Sequence, residues 1–313
     1  MIISAASLSQ KKAFPKIQHG DEIVQLGSCF SSTMSYWFRR AGFRVMDNPL
    51  GVIFHPVPLA KQILMAFGKA EWSGFVQKED VHVSYDASSV LYSMTASGLE
   101  ALVEQQMKEL RISLQKAKLL VITLGSAHGY RLKQSGNLVA NCHQQAHSFF
   151  EKELTGAEEM ASIWESAIKE LKSVNPSIQI VFTVSPVRYI RDGLMENSRS
   201  KSELFRLVSL LKRDSVHYFP AYELVNDVLR DYRYFDVDGV HPSDEATEFV
   251  WDFLKEELFS TQTNELIEEI MKLRKMEEHK LMYPESKKAE EYLRQLKQKR
   301  ESFLSQYPVV VWC

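Results

Sequence analysis

Apolar residues fall along this chain in two rhythms. Three short runs, 23–26 (Ile-Val-Gln-Leu), 119–124 (Leu-Leu-Val-Ile-Thr-Leu) and 178–184 (Ile-Gln-Ile-Val-Phe-Thr-Val), are nearly continuous and rich in β-branched residues. Each ends in turn or small residues: Gly27, Gly125, and Ser185 with Pro186. This is the signature of strands covered on both faces. Elsewhere apolar residues recur every three to four positions, the helical spacing. That spacing marks Thr33–Ala41, which carries Met34, Trp37 and Phe38 and stops at Gly42, and also Gly98–Ala117, Ala157–Ser173, Ser198–Arg213 and Ser243–Glu257. Strands alternating with amphipathic helices predict a three-layer α/β/α sandwich around a parallel sheet.

Two stretches break the rhythm. Residues 43–97 contain Pro49, Pro56 and Pro58 and read as a long excursion over the sheet edge. Beyond residue 260 the chain is crowded with Lys and Glu, while Leu, Ile and Met recur at helical spacing over Glu265–Lys280 and Glu285–Arg300, parted by Pro284. This predicts a domain over residues 1–260 followed by a charged helical hairpin over 261–313. The hairpin either packs on the parent domain as a solvated pair or serves as an arm for a partner or a second copy.

Composition narrows the function little. The 313 residues are 45% hydrophobic and 25% charged, as in ordinary globular domains. A net charge of −2 gives no reason to expect a nucleic-acid partner. The first twenty residues hold no apolar stretch fit for a signal peptide, and no later run approaches a membrane span. Cys29, Cys142 and Cys313 are odd in number and far apart, so no disulfide framework is expected. The expectation is a reduced, cytoplasmic protein with no membrane partner.

Chemistry concentrates at two points. Leu26-Gly27-Ser28-Cys29-Phe30-Ser31 stands where the first strand gives way to a helix. Such a turn lies at the carboxyl edge of a sheet, beside unpaired amides and the positive end of a helix dipole, and suits a nucleophile. Two hundred residues on, Asp238 and His241 stand three apart in a loop with Gly239 and Pro242. That spacing lets the carboxylate accept from imidazole Nδ1–H and leaves Nε2 free to take a proton. Alone, Asp-x-x-His is as well explained by a loop hydrogen bond. Together with the turn, the order resembles that of the SGNH, or GDSL, hydrolases.

The resemblance narrows further. The block Gly27-Ser28-Cys29-Phe30-Ser31 resembles the Gly-Ser-Cys-Phe-Ala turn that names the GSCFA-domain family, with Ser31 in place of the last Ala. Further blocks follow in order: Asn48-Pro49-Leu50-Gly51, the run 122–127, Asn141-Cys142-His143, the run 182–188, the run 218–223, the run 230–233, and His241-Pro242. Matches thus extend from about residue 14 to 255, and the tail past 260 lies outside them. The resemblance implies an SGNH-type, flavodoxin-like layering. It also implies an acyl-ester hydrolase or acyltransferase acting on a small-molecule or glycan ester, without a cofactor or metal.

Laid on the Gly-Asp-Ser of those hydrolases, Gly27 takes the Gly and Cys29 takes the nucleophile's place. A thiol at a helix start and beside His suits acyl transfer. Ser28 takes that role if the turn is rotated by one residue, and both are plain turn residues if neither attacks. His241 would accept the nucleophile's proton and Asp238 would orient the ring. Gly51 fits the second oxyanion block. The third departs: Ala127 stands where the hydrolases carry Asn, a donor whose loss typically costs about 10²–10³ in rate. Asn141, Asn48 or Ser126 is left to supply it. His143 and His147, four apart, have no metal-binding frame around them and are expected to line the mouth of the site. Arg188 either faces the cleft to bind an anionic group or forms a structural salt bridge. Without an oxyanion hole, the same fold would be a binding protein.

Overall fold

The computed structural model describes residue 8 and residues 14–312. Cys313 and most of the first thirteen residues lie outside them. β1 (Glu22–Gly27) runs into α1 (Cys29–Arg40), which returns to β2 (Arg44–Asp47). Then come α2 (Pro56–Ala66), a small antiparallel sheet of β3 (Phe75–Lys78), β4 (Val81–Ser84) and β5 (Tyr92–Ser93), and the long α3 (Ala96–Lys116). β6 (Leu119–Leu124) is followed by a second antiparallel sheet of β7 (His128–Leu132), β8 (Leu138–Val139) and β9 (Phe150–Leu154), and by α4 (Ala157–Val174). β10 (Gln179–Val184), α5 (Leu194–Leu210), β11 (Val216–Phe219) and a short α6 (Ala221–Glu223) lead to α7 (Asp244–Leu258). The chain closes with α8 (Thr261–Glu277) and α9 (Lys287–Gln306).

The central sheet is parallel throughout, in the order β11-β10-β6-β1-β2. Alternation along each strand divides the core in two. Val24, Leu26, Leu120, Ile122, Ile180 and Phe182 face α2, α3, α4 and α5. Ile23, Leu119, Val121 and Val181 face α1 and α7, among Phe30, Phe38 and Trp251. The three-layer α/β sandwich expected from the sequence is the observed fold.

The apolar runs mark β1, β6 and β10, but β2 and β11 carry no such run. Both edge strands are four residues long and include polar or charged side chains, Arg44 and Asp47 in one and His217 in the other. The region 43–97 therefore does not merely pass over the sheet edge; through β2 it forms that edge. α1 begins four residues before the apolar spacing shows it, directly after Ser28, whose backbone is extended.

The two C-terminal helices lie on the domain. Ile267 joins the same core as Phe43 and Phe259. Ile270 and Leu273 form a further cluster with Phe303 and Val310. Arg274 donates through Nε to the Arg40 carbonyl at 2.7 Å and through Nη2 to that of Arg39 at 3.2 Å, with its guanidinium 4.4 Å from the Trp312 ring centre. A cation thus satisfies carbonyls at the negative end of α1. Among the described residues no helix is long and apolar enough to cross a membrane.

Arg274 is buried, so its loss uncovers those carbonyls in a packed interface. Arg274→Ala is expected to lower the unfolding free energy by about 2 kcal/mol, read from the urea midpoint at constant slope.

Candidate functional site

The carboxyl edge of the sheet is where the conserved chemistry of an α/β fold collects, and here its shape follows from one glycine. Gly27 has φ +143°, and a Cβ there would lie 2.2 Å from the Thr123 carbonyl oxygen. The end of β1 therefore lies against β6, with the Ser28 amide donating to Thr123 O at 3.0 Å. Around this point Asn48 closes the turn: its Oδ1 accepts from Gly27 N at 2.7 Å and its Nδ2 donates to Ser32 Oγ at 3.1 Å.

Ser28 occupies the N-cap position of α1, but its hydroxyl caps nothing. It is buried, and its Oγ has no hydrogen-bond partner among the described residues. Cys29 is the first residue of the helix and only half-buried. Burial pushes its thiol up from the usual range; the Phe30 amide, the residue's own amide and the charge of Lys201 draw it part of the way back. The first amides of a helix lack intrahelical acceptors, so this sulfur sits beside free donors.

Asp238 and His241 form the pair that their spacing implies. Asp238 Oδ2 accepts from His241 Nδ1 at 2.7 Å, and Asp238 Oδ1 accepts from the amides of Val240 at 2.8 Å and His241 at 3.0 Å. The imidazole bond and these amides hold the carboxyl down to about 2. The ring is 47% exposed, and its Nε2 makes no hydrogen bond among the described residues. The loop is tied to the segment after β10 by Arg188 N donating to Val240 O at 3.3 Å.

α1 and α7 both start from the carboxyl edge of the sheet. α1 leaves the carboxyl end of β1, and α7 ends where the Leu258 carbonyl accepts from Ile17 N, ahead of the start of β1, so both helices descend from the carboxyl edge. Phe38 of α1 meets Trp251 of α7 with ring centres 5.0 Å apart. From that contact Cys29 lies nine residues up α1, about 14 Å, and the first residue of α7 lies about 10 Å up, with His241 three residues beyond it.

Four of the expected oxyanion or substrate contacts are occupied internally. The Gly51 amide donates to Asn48 O at 2.7 Å, and Gly51, at φ +76°, has no room for a side chain against Ser88. Asn48 is committed to the turn as described. Ser126 Oγ is buried, 3.2 Å from Ser200 Oγ, and accepts from His128 N at 3.0 Å. His143 does not line the mouth: its ring is buried with Nε2 2.6 Å from the Ser84 carbonyl. The guanidinium of Arg188 lies over Phe235 and Tyr232, at 4.4 and 5.3 Å from the ring centres, and makes no salt bridge among the described residues. Asn141 uses Oδ1 to accept from His143 N but borders a cleft of about 590 Å³. Phe54, Ser126, His128, Tyr130 and Tyr189 also line that cleft, and Cys29 lies outside its lining. Among the described residues no cluster of His, Cys, Asp and Glu is placed to hold a metal.

Sequence reasoning missed Lys201. It reads as one more polar residue of α5, yet it is buried. Its Nζ donates to Gly125 O and Ser185 O, both at 2.8 Å, beneath the carboxyl ends of β6 and β10. Burial pushes the amine down to about 7, against the upward pull of Cys29.

The family model described as GSCFA family matches residues 22–253. The chain belongs to the GSCFA family. The comparison with curated proteins finds no match. Among solved structures this GSCFA chain is similar to a carbohydrate esterase family 3 protein from Talaromyces cellulolyticus, at 10% identity and TM-score 0.33, over 80% of this chain and 99% of that one. It is also similar to an acetyl esterase mutant with acetate ion, at 8% identity and TM-score 0.35, again over 80% and 99%. A third is an acetyl xylan esterase from the rumen bacterium Butyrivibrio proteoclasticus, at 10% identity and TM-score 0.31, over 82% of this chain and 65% of that one.

The glycine at the head of the GSCFA turn has no tolerance for a methyl group. Gly27→Ala forces backbone against backbone and is expected to cost more than about 3 kcal/mol of stability. Thermal unfolding followed by circular dichroism checks this.

Proposed function

We propose that this protein is an acyl-ester hydrolase or acyltransferase in which Cys29 is the nucleophile. The observation that supports the reading is the Asp238–His241 pair, with Nδ1 occupied and Nε2 open, together with a half-open thiol at the start of α1. Cys29 is preferred to Ser28 because its side chain is half open, whereas the serine hydroxyl is buried. A thiolate at a helix start attacks the ester carbonyl, the alcohol leaves, and a thioester remains on sulfur. His241 takes the thiol's proton and gives it to the departing alcohol; neutral again, it takes one from the water or acceptor alcohol that cleaves the thioester. Asp238 fixes the tautomer and offsets the imidazolium charge. The unpaired amides at the start of α1 support the oxyanion. The cleft beside Asn141, with aromatic and polar walls, suits the sugar portion of a glycan ester.

A second reading has its own support. Ala127 offers no donor where the SGNH hydrolases have one, and the Gly51 amide and Asn48 side chain are already bonded. A binding protein that keeps the fold without turnover fits those facts.

One experiment separates them. With p-nitrophenyl acetate, the enzyme is expected to release nitrophenol and, on rapid acid quench, to carry an acetyl group on the Cys29 peptide. His241→Ala should lower turnover by about 10³-fold or more, and Asp238→Asn by somewhat less. A folded His241→Ala protein with unchanged turnover removes the proposed role of His241, and the absence of any Cys29 adduct favours the binding protein.

A further inference from the structure

We propose that the cleft bounded by Phe54, Asn141 and Arg191 is a subsite for an acidic sugar, in which N–H donors on one wall recognise a carboxylate on the ring. The inference rests on the reading of this cleft as the sugar site of an ester substrate, and it names the charge that substrate carries.

The cleft, about 590 Å³, has the size of a small-molecule site. Among the described residues no Asp or Glu lines it, whereas Arg191 does. Arg191 is exposed, and its guanidinium makes no hydrogen bond or ion pair among the described residues. The acid beside it is already engaged, since Asp192 pairs with Lys152 of β9. That pair follows Arg191, and ahead of it the Tyr189 amide donates to Asn197 Oδ1 of α5 at 2.9 Å. The loop that carries the guanidinium is therefore pinned on both sides.

Two side-chain amides of the lining are oriented by their partners. Asn141 Oδ1 accepts from the His143 amide at 2.7 Å, and Gln144 Oε1 accepts from Lys78 Nζ at 2.8 Å. Both partners can only donate, so each side chain must give them its oxygen. What remains is an NH₂ group on each, with no acceptor among the described residues. The wall thus offers N–H donors from Asn141, Gln144 and Arg191, with a second cation, Lys78, behind Gln144. Such a set matches the oxygens of a carboxylate, and a flat guanidinium can take two of them at once. Phe54 supplies an apolar face for the sugar ring: its side chain is 46% exposed and lines the same cleft. Its carbonyl accepts from Gly125 N at 2.9 Å and Ser126 N at 3.1 Å, and Ile53 before it donates to Gly27 O. One wall of the cleft is thereby tied to the turn that carries Cys29.

The test is binding, followed through the amide chemical shifts of ¹⁵N-labelled protein with two matched probes, methyl β-D-glucuronide and methyl β-D-glucoside. The glucuronide is expected to bind about tenfold more tightly, with shifts at Asn141, Gln144 and Tyr189, and added salt is expected to weaken it. Arg191→Gln, an exposed substitution, is expected to erase the difference between the probes. A difference that survives in Arg191→Gln overturns the role of Arg191. Equal affinities in the wild-type protein, no binding of either probe, or shifts centred away from the cleft overturn the subsite. Acetate serves as a third probe and is expected to bind more weakly than the glucuronide. Equal binding of acetate overturns the assignment to a sugar. Ester turnover is scored separately with p-nitrophenyl acetate, which carries no sugar. Glucuronide binding without turnover removes the hydrolase reading and leaves the subsite. Turnover with no preference for the glucuronide does the reverse.

Discussion

The close approach of β1 to β6 at Gly27 is the constraint on which the rest of this site depends. Without a side chain at that position, Ser28 N reaches Thr123 O, Ile53 N reaches Gly27 O at 3.0 Å, and the 48–53 segment folds over the turn. The helix that follows then starts directly at Cys29. A residue with a Cβ would separate the two strands at the point where the candidate nucleophile is presented. Backbone sterics, more than any side-chain bond, thus decide where the sulfur sits.

Much of this was readable in the sequence. The runs that form β1, β6 and β10 are buried on both faces, so burial leaves its mark on every residue. The edge strands have fewer such positions, and β2, with an exposed Arg44 and three half-buried residues, shows no pattern to read. The Asp238–His241 bond was legible because it joins residues three apart. The fates of Gly51, Asn48, Ser126 and His143 were not, because each is settled by a partner from elsewhere in the fold or by a turn whose pairing the sequence does not display. Lys201 illustrates the limit best. Its neighbours in α5, Ser198, Arg199 and Ser202, are exposed, and only its spacing of three and seven residues from the buried Leu204 and Val208 marks Lys201 as the lysine that points inward.

Two buried basic side chains hold backbone carbonyls at opposite edges of the fold. Arg274 satisfies backbone carbonyls at the end of α1, and Lys201 satisfies backbone carbonyls at the ends of β6 and β10. Both exploit the fact that carbonyls at the ends of elements lack regular partners. Their chemistry differs. A guanidinium stays charged wherever it is placed, so Arg274 is a permanent clasp. An amine changes protonation with its surroundings, so the same kind of contact at Lys201 remains responsive.

The Arg274 clasp bears on mechanics as well as stability. α1 carries the candidate nucleophile on its first residue and is gripped at its last by the C-terminal arm, through Arg274 and the Arg40–Glu278 ion pair. A helix is stiff along its axis, so a rod held at its foot cannot slide at its head. The arm, which lies outside the family's matched region, thereby becomes the far anchor of the turn that names the family.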